Sequence, residues 1–322
     1  MNIELLEGDC TFEHKAIKDG SVDLILTDLP YGTVTNIASS DTVKHGMQNK
    51  TNWDCVIETE KIYEIANRIL RKNGKMVLFA QQPFTTELIS KQIPNLPFNY
   101  SMIWKKDHFA NSLIAKKAPL NYYEDILLFS KKDDTEKLHP LRDYSLKLKE
   151  CIGLNCSQIN KKLGNRSAVH FFSNNYNQFK ICNRKTYESL IELFAIDKFE
   201  FFKSYDELIN DNSGYLSTFN LWEGGKFKSN ILDYKKDYEG LHPTQKPILL
   251  LEDLLKTFSN ENDLVVDLSM GSGSTAIACM NTNRNFIGIE KDFNYFEVSK
   301  KRVEEKRKEK DLTQKTLFGE GM

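Results

Sequence analysis

The sequence of 322 residues contains no run of about 18 apolar residues, which is the length that a membrane-spanning helix needs. Its first residues lack the basic and then apolar pattern of a secretory signal peptide, so we expect a cytoplasmic protein with no membrane partner. The six cysteines are scattered, and the nearest two, Cys151 and Cys156, have a spacing that suits neither a zinc knuckle nor a redox pair. We therefore expect free thiols in a reducing compartment and no metal site.

An excess of positive charge is also missing, because 44 basic residues stand against 45 acidic ones and the formal net charge is −1. This balance excludes a protein coated with positive charge in the manner of a histone-like DNA binder. The charge is uneven along the chain, however, since residues 101–166 hold 13 lysines and arginines against 8 acidic residues. Such a segment is either an ordinary solvated surface or a basic face for a polyanion, and composition leaves both open.

What the sequence does contain is the composition of a globular protein, with 40% hydrophobic and 28% charged residues. Apolar runs at residues 3–6, 22–27 and 75–80 alternate with helical periodicity, which predicts a parallel sheet covered on both faces. Residues 98–104 and 125–130 are expected to add an antiparallel pair at its edge. The pattern returns near the C-terminus, with a helix over residues 248–258, strands over 263–268 and 285–289, and a charged helix from residue 296.

Residues 139–236 differ in character, since they are rich in Lys, Asn, Phe and Tyr and carry no strong strand signal. Within them, residues 157–163 and 166–172 have the pattern of two short helices joined by a turn at residues 164–165, the layout of a helix-turn-helix unit. Any two short helices with a glycine turn share this pattern. It therefore fits a DNA-reading element and an ordinary packed core alike.

A loop of small residues follows the strand predicted at residues 263–268 and precedes a helix. Its sequence from residue 267 to residue 274 is Asp-Leu-Ser-Met-Gly-Ser-Gly-Ser. Glycines in such a loop let a ligand approach the backbone, and the helix N-terminus then faces that ligand. About twenty residues later the next strand ends at Glu290, where a carboxylate suits a ribose diol. A lone G-x-G is often a tight turn, but the loop, the strand and the acid together predict a nucleotide-like cofactor.

A second motif, Asp-Leu-Pro-Tyr at residues 28–31, lies where the predicted strand of residues 22–27 ends. Open α/β sheets bind ligands at this end of their strands, although a proline-containing turn capped by an aspartate is common as well. A carboxylate, a backbone carbonyl and an aromatic ring within four residues can clamp a flat ring that carries an amino group. The carboxylate of Asp28 and the carbonyl of Leu29 would each accept one amino hydrogen, and the ring of Tyr31 would stack on the base.

These motifs resemble those of the β-class amino-group DNA methyltransferases. The catalytic motif of that family is usually Asp-Pro-Pro-Tyr, which here reads Asp-Leu-Pro-Tyr. A second family motif, which precedes the cofactor loop, is His-Pro-Thr-Gln-Lys-Pro and is matched in full at residues 242–247. The cofactor loop departs from the family pattern at Ser269, where a phenylalanine is common. The order of the motifs, with the catalytic one first, then an insert and then the cofactor loop, is the order that defines the β class.

The resemblance implies an α/β, Rossmann-like class I methyltransferase fold with a mixed, mostly parallel sheet in circularly permuted order. It assigns residues 1–138 to the catalytic part and residues 139–236 to an inserted, mainly α-helical target-recognition domain. Residues 237–322 would form the part that binds the cofactor, followed by a charged C-terminal helix.

S-adenosyl-L-methionine is the cofactor that the resemblance implies. Glu290 matches the acid that holds the ribose hydroxyls, Asp9 the acid near the adenine, and Lys246 the segment beside the methionine end. The residues implied to bind the cofactor are Asp9, Cys10, Lys246, Asp267, Met270, Gly271, Ser272, Gly273, Ser274 and Glu290. The residues implied to hold the target base are Asp28, Leu29, Pro30 and Tyr31.

Contacts to double-stranded DNA are expected from two regions. Basic, polar and aromatic residues interleave after Trp104 on a segment expected to be a loop, where lysines would bind phosphates. Sequence reading would fall to the second helix of the helix-turn-helix candidate. The predicted DNA contacts are Lys105, Lys106, Asn111, Lys116, Lys117, Arg166 and His170.

The leading interpretation is a site-specific methyltransferase for adenine N6 in double-stranded DNA. An aspartate at position 28 is the usual choice of adenine enzymes, whereas many cytosine-N4 enzymes carry a serine there, so cytosine N4 is the alternative. Methylation of RNA or protein is less favoured, because those enzymes generally place the cofactor loop before the catalytic motif. A non-enzymatic helix-turn-helix regulator would leave both motifs unexplained. The recognition sequence, a homodimer and a restriction endonuclease partner are left open.

Overall fold

The computed structural model describes residues 1–30, 57–110, 115–117, 119–133, 140–173, 179–213, 216–237 and 245–319. The chain divides into two compact units. The first consists of Met1–Lys132 together with Thr218–Met322, and the second of Asp133–Ser217. In the described part of the chain, every helix is too short or too polar to cross a membrane.

The first unit is built on one sheet, which the described residues form with eight strands. They are β1 (Ile3–Glu7), β2 (Val22–Asp28), β3 (Leu70–Ala80), β4 (Phe98–Ala110), β5 (Asn121–Ser130), β6 (Ile231–Asp233), β7 (Leu264–Asp267) and β8 (Asn285–Glu290). The strand order is β1-β8-β7-β2-β3-β5-β4-β6. The first five strands in this order run parallel, β5 is antiparallel to both β3 and β4, and β6 is parallel to β4. This mixed, mostly parallel sheet confirms the predicted α/β fold.

The helices of the two units are α1 (Cys10–Glu13), α2 (Thr59–Ile69), α3 (Phe84–Ser90), α4 (Pro140–Ile152), α5 (Cys156–Leu163), α6 (Arg184–Phe194), α7 (Tyr205–Ser213), α8 (Ile248–Phe258), α9 (Ser274–Asn281) and α10 (Phe293–Gly319). The bounds of α8 agree with the helix predicted from its periodicity. Successive residues of a strand point to opposite faces of a sheet. Accordingly, Leu24 and Leu26 pack in one hydrophobic cluster with α8 and α9, whereas Ile25 packs in another with α2 and α3.

The second unit contains α4 to α7 around its own aromatic core, in which the hydroxyl groups of Tyr144 and Tyr187 share a hydrogen bond of 2.5 Å. The first predicted helix of the helix-turn-helix candidate is present as α5, and it ends at Gly164, whose backbone is left-handed with φ of 69°. The second predicted helix was wrong, because residues 166–172 form successive turns.

Side-chain acceptors near these turns explain the missing helix. The Asn165 side chain accepts a hydrogen bond from the backbone N–H of Ser167 at 2.8 Å, and Asn160 Oδ1 accepts one from the N–H of Ala168 at 3.3 Å. Such local bonds compete with the helical pattern. The adjacent rings of Phe171 and Phe172 are both buried in the aromatic core of this unit.

The end of the insert also differs from the predicted range of 139–236. The second compact unit ends at Ser217, and the following residues belong to the first unit. One reason is β6, which pairs with β4 at the edge of the sheet. Another is Asp253 in α8, which accepts hydrogen bonds from Trp222 Nε1 at 2.9 Å, from Lys228 Nζ and from the hydroxyl of Tyr234 at 3.0 Å.

Gly273, which the sequence suggested for close approach of a ligand, is instead required by close approach of the protein. It precedes α9 with φ of 79°, and a Cβ there would lie 2.9 Å from Cβ of Ser299 in α10. We expect Gly273→Ala to lower the free energy of unfolding by about 2–5 kcal/mol, combining a left-handed alanine with overpacking.

Gly224→Ala is the matched control, because Gly224 has φ of 74° and no atom within 4 Å of the added Cβ. It should cost about 1–2 kcal/mol through backbone strain alone. Urea denaturation of both variants measures the difference. Equal losses in the free energy of unfolding would mean that α10 shifts and accommodates the new methyl group without further cost.

Candidate active site

Four neighbouring strands of the first unit end in acidic side chains at the same edge of the sheet. Asp9 follows β1, Glu290 ends β8, Asp267 ends β7 and Asp28 ends β2. These strands are adjacent and parallel in the order β1-β8-β7-β2, and carboxyl ends of parallel strands are where open α/β sheets bind ligands. With strands about 4.8 Å apart, the row spans about 14 Å. A row of carboxylates of this length suits an extended ligand that carries hydroxyl groups and a positive charge.

Glu290 lies beside the glycine-rich loop and is oriented by two backbone groups. Its Oε2 accepts a hydrogen bond from the N–H of Gly271 at 2.8 Å, and its Oε1 accepts one from the N–H of Asp292 at 2.7 Å. Burial raises the pKa of this carboxyl group, although both hydrogen bonds oppose the shift. Each carboxylate oxygen can accept a second hydrogen bond, so Glu290 can still receive two hydroxyl groups of a ligand.

Asp9 serves as the N-cap of α1. Its Oδ1 accepts hydrogen bonds from the backbone N–H of Thr11 at 2.9 Å and from the hydroxyl of Thr11 at 2.7 Å, and Lys291 Nζ lies 3.0 Å from Oδ2. Burial alone would raise the pKa of Asp9, but these bonds outweigh it and lower the pKa. The thiol of Cys10, predicted to bind the cofactor, packs in the hydrophobic core, and burial raises its pKa to about 12.

The carboxylate of Asp267 is buried and accepts three hydrogen bonds from within the protein. Its Oδ1 accepts hydrogen bonds from the hydroxyl of Thr27 at 2.7 Å and from the backbone N–H of Ser269 at 3.1 Å, and its Oδ2 accepts one from the hydroxyl of Thr275 at 2.6 Å. The side chain thus joins β7, β2 and α9 and fixes the start of the loop. Of the loop residues predicted to bind the cofactor, Gly271 is partly exposed, whereas Met270, Ser272, Gly273 and Ser274 are buried.

Asp28 is held by Lys246, which the sequence suggested for the methionine end of the cofactor. Lys246 Nζ donates a hydrogen bond to Asp28 Oδ2, while Asp28 Oδ1 has no hydrogen-bond partner among the described residues and no contact with solvent. Burial raises the pKa of Asp28 to about 6, although the charge of Lys246 opposes the shift. One oxygen of the carboxylate is therefore fixed and the other lacks a donor.

The other residues of the Asp-Leu-Pro-Tyr motif differ in how far they are buried. The side chain of Leu29 is 2% exposed and packs in the core cluster of α2 and α3, which explains an apolar residue at this position. Pro30 is half-buried. Tyr31 lies outside the described residues, as do residues 242–244, the first half of the His-Pro-Thr-Gln-Lys-Pro segment.

Glu124, which the sequence did not single out, and Lys106, which was predicted to contact DNA, complete the surroundings of Asp28. Glu124 in β5 lies 3.3 Å from Lys246 Nζ through its Oε2, and its Oε1 accepts a hydrogen bond from Lys106 Nζ. Strand periodicity could have found Lys106, because Met102, Trp104 and Lys106 share one face of β4 and all three are buried. Glu124 carries no such signal.

A family model described as a DNA methylase of the N6/N4 methyltransferase type matches residues 22–301. The chain belongs to this family. It is therefore a DNA methyltransferase that acts on an amino group of DNA, and the family uses S-adenosyl-L-methionine. The motif resemblance is confirmed by this match, and the acidic row at the sheet edge fits a cofactor that carries ribose hydroxyls and a sulfonium charge.

Relatives of the methylase include several type II methyltransferases. M.HpaI of Haemophilus parainfluenzae is 23% identical over 293 residues, which cover 90% of this chain and 70% of the relative. M2.MboI of Moraxella bovis is 43% identical over 67 residues, covering 21% of this chain and 24% of the relative. The crystal structure of M1.HpyAVI with S-adenosylmethionine covers 94% of this chain and 98% of its own, with a TM-score of 0.52 and 20% identity, which shows a shared fold.

The predicted DNA contacts of the methylase fall into different environments. Lys105 and Lys106 lie in β4 and not on a loop, so that part of the prediction was wrong. Lys106 is buried and bound to Glu124, which excludes a contact with a phosphate, while Lys105 is exposed and pairs with Asp233 at 2.6 Å. The side chains of Lys116, Lys117, Arg166 and His170 are exposed, and Asn111 lies outside the described residues.

Proposed function

We propose that this methylase modifies N6 of adenine at a specific sequence in double-stranded DNA, with cytosine N4 as the second candidate. The observation that carries the proposal is the Asp28 carboxylate at the end of β2. Its Oδ2 is fixed by Lys246, and its buried Oδ1 has no donor among the described residues. A buried acceptor without a partner is costly unless a ligand supplies the donor, and the amino group of a base is such a donor.

The chemistry follows from two acceptors next to one amino group. An exocyclic amine is a poor nucleophile, because its lone pair is delocalised into the ring. If Asp28 Oδ1 and the carbonyl of Leu29 each accept one amino hydrogen, the nitrogen becomes pyramidal and its lone pair localised. S-adenosylmethionine, when bound, supplies the methyl group on a positively charged sulfur. The amine held by Asp28 and the carbonyl of Leu29 would bond to that methyl carbon as its bond to sulfur breaks, and one amino proton would pass to water.

The reacting nitrogen is inaccessible within a duplex, so the base must leave the stack. Tyr31, next to the two acceptors in sequence, is proposed to stack on the extruded base. Glu290 is proposed to bind the ribose hydroxyls of the cofactor, with the backbone at Gly271 beside it. The residues that would hold the sulfonium end of the cofactor would then be those near Asp28 in the row of strand ends.

DNA contacts are proposed from the exposed basic residues. Lys105, Lys116 and Lys117 would bind phosphates, while Arg166 and His170 in the second unit would read bases. The choice of adenine rests on the aspartate at position 28, which the family's adenine enzymes usually carry. The naming of relatives as type II methyltransferases supports a restriction endonuclease of the same site specificity as a functional partner.

Asp28→Ala should abolish methyl transfer, because the amine loses an acceptor that it needs in the transition state. The affinity for S-adenosylmethionine should stay within about twofold, because the lost hydrogen bond is proposed to contact the target base and not the cofactor. Transfer of a labelled methyl group to DNA and titration calorimetry measure the two effects. In the unaltered enzyme, kcat should fall as the pH drops through about 6, because a protonated Asp28 accepts one hydrogen bond fewer.

Asp19→Ala is the control for this variant, because Asp19 lies exposed before β2 and pairs with Arg68. It should retain normal turnover. Turnover by Asp28→Ala above a few per cent of the unaltered rate would exclude the proposed clamp.

Glu290→Ala should weaken binding of S-adenosylmethionine, because it removes the proposed acceptor for the ribose hydroxyls. Each charge-assisted hydrogen bond is worth about 1.5–3 kcal/mol, so the loss in affinity should be at least about tenfold. Glu4→Ala, an exposed glutamate earlier in β1, serves as the control. Calorimetry that gave the same affinity for Glu290→Ala and Glu4→Ala would refute the assignment of Glu290.

Expression in a host without DNA methylation should place N6-methyladenine at one short recurring sequence, detected by modification-sensitive sequencing. Arg166→Ala and His170→Ala should relax or shift that sequence, since each base contact carries about 1–3 kcal/mol of discrimination. Lys116→Ala should instead weaken methylation evenly across sites and reduce its dependence on salt.

The other outcomes of this experiment are distinct. Methyl groups on cytosine N4 would overturn the choice of base and leave the enzyme class intact. An unchanged recognition sequence in both Arg166→Ala and His170→Ala would remove sequence reading from those two side chains.

A further inference from the structure

Four charged side chains from four separate segments form a buried cluster around Asp28. Lys246 Nζ donates to Asp28 Oδ2 and lies 3.3 Å from Glu124 Oε2, while Lys106 Nζ donates to Glu124 Oε1. The side chains of Lys106, Glu124 and Lys246 are 3%, 8% and 6% exposed. The four ionised groups alternate in sign, so the cluster can be buried without net charge.

Stability does not explain why this cluster is charged. Removing two ion pairs from water costs several kcal/mol per ion, and apolar residues of similar volume are often as stable or more so. Such departures from an apolar interior are expected at functional sites. Only one of the four side chains belongs to the proposed base clamp, which leaves the function of Lys106 and Glu124 to be explained.

The anchor of the cluster is the pair Lys106 and Glu124, which lies on the two neighbouring strands β4 and β5. Register pairs Trp104 with Glu124, and Lys106 Nζ lies 5.1 Å from the centre of the Trp104 ring. Trp104 is in turn fixed by a hydrogen bond from its Nε1 to the carbonyl of Tyr234 at 2.8 Å. Gln81 Nε2 lies 3.4 Å from Glu124 Oε1 as a further donor. Glu124 therefore sits on rigid sheet, whereas Lys246 sits on irregular chain before α8.

We propose that Glu124, anchored by Lys106, is a positioning residue that holds Lys246 against Asp28 Oδ2 and so keeps Asp28 Oδ1 for the amino group of the target base. This inference rests on the proposed function of Asp28. Lys246 Nζ also lies 5.0 Å from the centre of the Phe79 ring, which supports the ammonium group on a third side. Without Glu124, the ammonium group of Lys246 would lose one of the two carboxylates that hold it, and Asp28 would be held less firmly in its orientation.

The charges around Asp28 make the inference testable without the cofactor. Lys246 favours the carboxylate, whereas Glu124 and Asp267 oppose it. Lys106 neutralises Glu124. Lys236 also interacts electrostatically with this cluster and with Asp107. Removing the charge of Glu124 should therefore lower the pKa of Asp28, and removing the charge of Lys106 should raise it.

The experiment measures the pKa of Asp28 in the unliganded protein by carbon NMR of labelled aspartate, with Asp28→Asn to assign the signal. Glu124→Gln should lower this pKa and Lys106→Met should raise it, each by at least about half a unit, as for a charge gained or lost at 4–6 Å. The low-pH limb of kcat should move in the same two directions.

If Glu124 no longer holds Lys246 in place, the misplacement of Asp28 should lower kcat. Glu124→Gln should lower kcat about 10- to 100-fold, as expected when a reacting group is misplaced, while KM for DNA and for S-adenosylmethionine stays within about threefold. Glu124→Asp keeps the charge but shortens the side chain, so it should lower kcat with little change in the pKa of Asp28. The Glu124→Asp variant also tests the inference if Glu124→Gln does not fold.

Asp23→Asn is the matched control, because Asp23 forms a comparably buried ion pair with Arg71 at the opposite end of β2. It should cost stability without moving the pKa of Asp28 or the low-pH limb. An unmoved pKa in both Glu124→Gln and Lys106→Met, or kcat losses no larger than those of Asp23→Asn, would overturn the inference. Active Asp28→Ala would instead overturn the proposed function, while the titrations still report on the cluster.

Discussion

The parallel pairing of β2 with β7 is the contact on which the site depends. It sets Leu24 and Ile25 beside Val265 and Val266, so that two segments about 240 residues apart in sequence end at the same place. The hydrogen bond from Thr27 to Asp267 closes this junction at the carboxyl ends of the strands. This junction matters for both motifs, because the proposed catalytic carboxylate and the proposed cofactor loop can act together only when they are neighbours. Everything inserted between them must leave this register intact.

Burial at this junction has a double effect on the acidic side chains. It raises the pKa of Asp28, Asp267 and Glu290, which works against their ionised forms. Each is balanced differently: Asp267 by protein hydroxyl groups, Glu290 by backbone N–H groups and Asp28 by one lysine. Among the residues that the structure describes, the side chain with the fewest donors is the one next to the proposed substrate. A deficit of hydrogen bonds in the protein alone is what a bound base would correct.

Much of the fold could be predicted from the sequence, because periodicity reports burial. The helix at residues 248–258 and the strands of the sheet other than β6 follow that rule. Predictions failed where a side chain competes with backbone periodicity or where a charge is buried. Asn165 replaces the expected second helix with turns, and Lys106 was taken for an exposed contact although strand alternation turns it inward. Neither Glu124 nor the inward carboxylate of Asp267 has a local signal, since their partners come from distant segments.

The segments of the first unit that flank the second unit in sequence are hydrogen-bonded within the first unit. On one side, the backbone N–H groups of Lys131 and Lys132 donate to the carbonyls of Gly74 and Asn95 at 3.0 and 2.9 Å. On the other side, the N–H of Asn220 donates to the carbonyl of Thr257 at 2.8 Å. The chain therefore leaves and re-enters the sheet domain at fixed points. Residues 133–217 lie between these two points in sequence, so a change in the length of that segment need not disturb the strands that carry Asp28 and Asp267.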